Sequence, residues 1–233
     1  MQPTLSLANS VLFDGLSDDD VNHVLTVLRI SQHQQGDYLF SSGEDASCIY
    51  LLQEGIVKVS YITPSGEEDV LAIFESGDIF GELFLGKYRY RIGFAQAIED
   101  SVVLRLGESQ LYDLIGEFPA IGINFIKHLA DAKREAMARM HALLRTDAKS
   151  RLLGVLLSLS RQKCCVYASE FVLNENITQE DLANMTGLNR STVSSLINQL
   201  RREGVLGGTR RKLTVDLNAV QSLLDESGFE LLQ

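Results

Sequence analysis

Between residues 30 and 106 the chain never runs far without a glycine. Gly36, Gly43, Gly55, Gly66, Gly77 and Gly81 cut it into short runs, among them residues 48–53, 56–62, 70–74, 94–98 and 102–106. These runs are rich in Ile, Val, Tyr and Phe and are of strand length. Val57, Val59 and Tyr61 alternate with Lys58 and Ser60, the pattern of a half-buried strand. Thr63-Pro64-Ser65-Gly66 has the composition of a turn. Many short strands so punctuated predict a β-sandwich or barrel. Ahead of them, Ser17-Asp18-Asp19-Asp20 caps a short helix carrying Val21, Val24, Leu25 and Leu28.

The pattern then changes period. Pro119 is placed to start a helix over residues 118–144. Ile126, Leu129, Ala136, Met140 and Leu143 recur at alternating spacings of three and four, with Lys133 the one polar member. That is a heptad seam, and it predicts a homodimer through this helix. The competing reading packs the same face on the chain's own β domain.

A third zone begins near Thr146 with an apolar helix carrying Leu152, Leu153, Leu156, Leu157 and Leu159. After a strand-like Phe171-Val172-Leu173, residues 178–202 read as a helix-turn-helix. Thr178 with Asp181 forms a capping pattern, Leu182, Ala183 and Met185 supply an apolar face, and Gly187 makes the turn. Leu188 plugs the two helices, and Asn189 caps the second. Val193, Leu196, Ile197 and Leu200 form its buried stripe. Arg190, Ser191, Ser194, Ser195, Asn198 and Arg202 lie opposite, a polar face nearly free of acid that a DNA major groove accepts. Thr178, Gln179, Asn189 and Thr192 complete the expected DNA-contacting set on the two helices. Val205 to Gly208 and Leu213 to Val215 flank Thr209-Arg210-Arg211-Lys212, a β-hairpin wing whose cations Arg210, Arg211 and Lys212 suit phosphates.

A net charge of −10 looks wrong for a DNA binder until it is divided along the 233 residues. Residues 1–110 carry six Lys and Arg against 17 Asp and Glu, whereas residues 149–212 carry ten against five. A basic segment therefore sits behind an acidic domain, as expected of a nucleic-acid module joined to a second function. The 45% hydrophobic and 22% charged composition is that of a soluble globular chain. Neither a membrane span nor a signal peptide is expected, and the expected location is the cytoplasm. Cys48, Cys164 and Cys165 are too few and too irregular for a disulfide framework or a four-thiolate cluster. The vicinal pair Cys164-Cys165 reads either as packed small residues or as a redox sensor. No metal-ligand spacing and no catalytic constellation appears, so an enzyme is not expected.

Further motifs carry a resemblance to a known family. Leu12-Phe13-Asp14-Gly15-Leu16-Ser17, Gly36-Asp37-Tyr38-Leu39-Phe40, residues 49–55 and above all Gly77-Asp78-Ile79-Phe80-Gly81-Glu82-Leu83 resemble the Crp/Fnr family of bacterial regulators. The last stretch is similar to the phosphate-binding cassette of cyclic-nucleotide domains. The resemblance runs from about Leu12 to Val215. It implies an α+β chain: an N-terminal β-roll (jelly-roll-like) effector domain over residues 1–117, a long dimerisation helix over 118–145, and a C-terminal winged helix-turn-helix domain over 146–233. It implies double-stranded DNA, a second copy of the chain and RNA polymerase as partners. It also implies an effector site built from Gly81, Glu82, Leu83, Arg91, Ile92, Ala136 and Met137. A glycine before a short helix lets backbone N–H groups approach an anion, Glu82 suits a ribose hydroxyl, and Arg91 suits a phosphate. An internal Glu82–Arg91 ion pair is the rival to that assignment.

The departures from the family narrow these implications. Cyclic-AMP-binding members follow the cassette arginine with serine and alanine, where this chain has Ile92 and Gly93. The cassette also runs one residue shorter. The long-helix positions that carry Thr and Ser against adenine hold Ala136 and Met137. A nucleotide effector thus stays open, cyclic AMP is not favoured, and another small molecule or no effector are the alternatives. The N-terminal cysteines of iron–sulfur members are absent, and His23, His33, His128 and His141 are too scattered to mark a haem ligand. On the recognition helix, Arg190 keeps the first base-reading position of members that read the well-known half-site. Ser191 and Ser195 replace a glutamate and a second arginine. The expectation is a dimeric sequence-specific regulator with a guanine contact from Arg190 and an operator of its own. The rivals are an effector-independent regulator and a sensor whose winged helix binds protein.

Overall fold

The computed structural model describes residues 10–144, 147–161, 169–209 and 212–226. Cys164, Cys165, Arg210 and Arg211 lie outside them. Contacts divide the chain into two units, Met1–Asp131 and Ala132–Gln233, with the division falling inside the long helix.

The first unit opens with a single 3-10 turn, Val11–Phe13, and helix α1, Asp18–Val27. Ser17 and Asp20 close a reciprocal capping box at its start, as its sequence requires. Eight strands follow: β1 Arg29–His33, β2 Tyr38–Phe40, β3 Cys48–Glu54, β4 Ile56–Ile62, β5 Glu68–Glu75, β6 Ile79–Phe80, β7 Phe94–Ala97 and β8 Ser101–Gly107. They form two antiparallel sheets, ordered β1-β8-β3-β6 and β2-β7-β4-β5. Helix α2, Glu108–Glu117, leads into α3, Pro119–Leu143.

Two cores explain why β3 reads as an unbroken apolar run. Cys48, Tyr50 and Leu52 point into a cluster with Phe40, Val57, Phe80, Ala95 and Val103, drawn from both sheets. The intervening Ile49 and Leu51 pack the other way, with Val24, Leu111, Leu114, Ile121 and Phe125 of the helices. A strand covered on both faces has no polar side to alternate with.

Five of the strands match the runs read between glycines, while β1, β2 and β6 were not among them. One expectation is corrected. On β4 the supposed outward residues Lys58 and Ser60 are buried, and Tyr61 is exposed. This strand lies between β5 and β7 and has no free edge, and Glu68 neutralises the Lys58 ammonium at 3.0 Å. Tyr61 sits near the strand's far end, beyond the shared core.

The second unit begins within α3 and continues with α4, Ala148–Arg161, whose Leu152, Leu153, Leu156, Leu157 and Leu159 are all buried. A short strand β9, Glu170–Val172, precedes helices α5, Gln179–Thr186, and α6, Arg190–Arg202. The hairpin β10, Leu206–Gly208, and β11, Leu213–Asp216, joins β9 in a three-stranded antiparallel sheet, and α7, Leu217–Glu226, follows. Helix α4 packs on α5, α6 and α7. The architecture is a β-roll, a long helix and a winged helix-turn-helix. No helix among the described residues is long and apolar enough to cross a membrane.

Candidate DNA interface and effector site

Helix α5 starts where its capping pattern dictates. The Thr178 hydroxyl accepts from the Asp181 N–H at 3.1 Å, and the Asp181 carboxylate accepts from the Thr178 N–H at 2.9 Å. The helix ends on Gly187, at φ +63°, which reverses the chain. Leu188 is half-buried, and its N–H donates to the Ala183 carbonyl. Asn189 then stands at the start of α6 in extended conformation, but its side chain makes no capping hydrogen bond. It marks the helix start by backbone geometry alone, which corrects the side-chain cap expected there.

Val193, Ile197 and Leu200 of α6 are buried, Leu196 is half-buried, and Arg190, Ser191, Ser195, Asn198 and Arg202 are exposed. Thr192 and Ser194 are half-buried at the border. The fold therefore brings Arg190, Ser191, Ser194, Ser195 and Asn198 to one displayed face. The first turn of α6 carries no acid, so its unpaired N–H groups present a positive end. Gln179 begins α5 and Thr178 caps it, which commits the Thr178 hydroxyl to Asp181 at 2.6 Å. One neighbour went unread in the sequence. Glu180, on α5, brings a carboxylate oxygen to 3.8 Å from the Arg190 Nε, with both side chains largely exposed. Only the crossing of two helices makes residues ten apart neighbours here, so helical periodicity carried no signal for it.

At the wing, the Thr209 N–H donates to the Lys212 carbonyl at 3.0 Å, and the Lys212 N–H donates to the Thr209 hydroxyl at 3.2 Å. Lys212 is exposed. Arg210 and Arg211 fall outside the described residues.

In the first unit, Gly81 holds φ +81° and precedes a 3-10 turn, Glu82–Leu85. A Cβ there would meet the Arg91 Nη1 at 2.8 Å and the Tyr50 ring at 3.0 Å, so glycine is required twice over. Arg91 is buried. Its two terminal nitrogens donate to the Gly81 carbonyl at 2.6 Å and the Cys48 carbonyl at 2.7 Å. Its guanidinium lies 4.4 Å from the Phe40 ring centre and 5.2 Å from that of Tyr50. These contacts satisfy the buried cation, and no carboxylate forms an ion pair with it among the described residues. Glu82 forms no ion pair with Arg91. Burial pushes its carboxyl above the usual range, with its own backbone N–H and the Arg91 charge pulling the other way. Leu83 and Ile92 are exposed. Ala136 and Met137 lie on α3 beyond Asp131, within the second unit, and are exposed.

Along α3, Ile126, Leu129, Met140 and Leu143 are all exposed, as is Ala136. Ile126 and Leu129, the seam residues of the first unit, are thus left out of that unit's own core.

Comparison with known proteins agrees with this layout. A cyclic nucleotide-binding domain model matches residues 30–118, and a Crp-like helix-turn-helix domain model matches residues 150–223. The cyclic AMP receptor protein of Thermus thermophilus is 30% identical over 200 residues, which cover 86% of this chain and 89% of that protein. A CooA mutant from Carboxydothermus hydrogenoformans superposes with a TM-score of 0.72 at 26% identity, covering 94% of each chain. FixK2 from Bradyrhizobium japonicum gives the same TM-score of 0.72 at 24% identity, covering 84% of this chain and 97% of its own, a likeness of fold.

Proposed function

The chain belongs to the Crp/Fnr family of DNA-binding transcription regulators, and from that premise we propose that it acts as a cytoplasmic homodimer, reads a near-palindromic operator through α6, and answers to a small effector in the β-roll. The observation that carries the reading is the two-sided character of α6. Its apolar stripe is spent inside the second unit, while Arg190, Ser191, Ser195 and Asn198 stand exposed on a helix whose own first turn carries no acid. Such a helix offers base-edge contacts from its first turns. Lys212, with Arg210 and Arg211 beside it in sequence, supplies phosphate contacts from the wing. The exposed seam of α3 supports pairing with a second copy. Two recognition helices would then meet successive major grooves ~34 Å apart. Family membership supports RNA polymerase as a further partner of the DNA-bound dimer.

Filter binding across a salt series tests the DNA contact. Phosphate contacts predict a steep fall of affinity with added salt, and a flat profile favours a protein-binding winged helix instead. Met140→Glu tests the seam. It should shift the dimer to monomer in sedimentation and abolish operator binding together, and an intact dimer would remove α3 from the interface.

For the effector, Gly81, Glu82, Leu83, Arg91 and Ile92 of the cassette form the proposed site. The name of the Thermus relative points to a nucleotide, whereas Ile92, Gly93, Ala136 and Met137 speak against cyclic AMP. A phosphate at Arg91 must compete with the carbonyls of Gly81 and Cys48. That observation favours a second reading, a regulator that needs no effector because Arg91 already has its acceptors. A melting experiment with a panel of cyclic nucleotides separates the two, since a ligand of the folded state raises Tm by mass action. A rise with one nucleotide supports the effector reading. No rise with any of them, alongside intact operator binding, supports the effector-independent one.

A further inference from the structure

Helix α6 carries three arginines, and they do not face the same way. Arg190 and Arg202 are exposed, whereas Arg201 is half-buried and its Nε is shut away from solvent with no acceptor among the described residues. The Arg201 Nη2 instead donates to the Thr209 carbonyl, at the tip of the β10–β11 hairpin, at 2.8 Å. Thr209 is also the residue that closes the tip, since its N–H and its hydroxyl are bonded to the backbone of Lys212. The turn is tight. Gly208 holds φ +78°, and a Cβ there would fall 2.1 Å from the Lys212 carbonyl oxygen.

A short chain of bonds thus runs from the recognition helix to the wing cation: Arg201 to Thr209, and Thr209 to Lys212. The other side of the same helix end is tied down as well. Glu203 accepts from Lys149 of α4 at 2.7 Å and from Gln199 at 2.8 Å. The base of the hairpin is held by pairing with β9 and by buried Leu206, Leu213 and Val215, whereas its tip at Thr209 is exposed. The place of the tip against the recognition helix then depends on bonds of this kind.

We infer that Arg201 is a positioning residue for DNA binding, which fixes the wing tip against α6 so that Lys212 meets a phosphate while α6 sits in the groove. Arg201 itself touches no DNA in this arrangement, because its guanidinium is turned toward the chain. The inference rests on the DNA-binding reading above and adds how the two contact elements are held in register.

The test compares Arg201→Met, which keeps the aliphatic stem and removes the donor, with Lys212→Ala, the double variant and the wild type, on an operator selected with the wild-type protein. Affinity is measured across a salt series. Arg201→Met should bind several-fold more weakly. Its slope of log affinity against log salt should flatten by about 0.9 for each phosphate no longer neutralised. Its base preferences should be unchanged. On the Lys212→Ala background the same substitution should cost markedly less, because the contact it positions is already gone. Arg201→Lys should recover part of the slope, as an ammonium can still reach the carbonyl. An unchanged slope, or a full additive loss in the double variant, overturns the inference. Should Arg201→Met fail to fold, Arg201→Gln, whose amide is too short to reach the Thr209 carbonyl, takes its place; a wild-type slope there overturns it equally. Failure of the wild type to select any operator would instead count against the DNA-binding reading itself.

Discussion

The Nε of Arg190 lies 3.8 Å from a carboxylate oxygen of Glu180, so the arginine expected to read guanine is paired with an acid on the preceding helix. Both side chains are largely exposed, and a surface pair of this kind contributes at most about 1 kcal/mol. Its consequence falls on binding more than on folding. Arg190 must leave Glu180 to enter a groove, and Glu180 repels the phosphates around it. Glu180→Gln should therefore raise affinity for DNA about two- to five-fold with Tm almost unchanged. Gel-shift titration beside a thermal melt checks this, and an affinity equal to or below wild type contradicts it.

The capping box of Thr178 and Asp181 sets where α5 begins. Thr178→Ala removes both hydroxyl bonds to Asp181 and should destabilise the C-terminal domain by about 1 kcal/mol. Thr178→Ser should restore most of the loss. The comparison of Ala with Ser in denaturant melts is the measurement. A serine variant as unstable as the alanine one would remove the hydroxyl from the account.

Much of this architecture is legible in the sequence, for identifiable reasons. The capping pairs Ser17–Asp20 and Thr178–Asp181, the αL glycine at 187 and the bounds of α3 depend on short-range chemistry that a few residues carry. Strand β4 can be located from its pattern, but its faces cannot. Burial of Lys58 depends on flanking strands and on Glu68, ten residues away, not on its own alternation. Strands β1 and β2 escape because their exposed and polar residues, such as Arg29, Ser31 and Tyr38, give no apolar run. At the candidate sites, residue identities can be read, but not where the guanidinium of Arg91 is spent, nor that Glu180 stands beside Arg190. Both depend on tertiary contacts with no sequence period.

Glu82 gives a pH dependence of known sign. Burial raises its folded pKa above the unfolded value, so the folded β-roll holds this proton more tightly than the unfolded chain. That preference stabilises the fold at low pH and is lost as pH rises through the elevated folded value. Glu82→Gln lacks the titration. The stability of wild type relative to Glu82→Gln should fall as pH rises from the ordinary carboxylate range upward. Denaturant melts of both proteins over that range check it. A difference that is flat, or that grows with pH, would mean the carboxyl is not desolvated.

The central claim is that α6 reads DNA as one half of a symmetric pair, with Arg190 at a base. Selection from a random duplex library, run with wild type and with Arg190→Ala, tests it most directly. Wild type should enrich a near-palindrome whose half-sites lie one helical turn apart. Arg190→Ala should lose preference at one symmetric position, with a loss of about 1–3 kcal/mol on the wild-type site. Enrichment of no sequence by the wild type, or identical selected sites and affinities for the two proteins, would contradict the account.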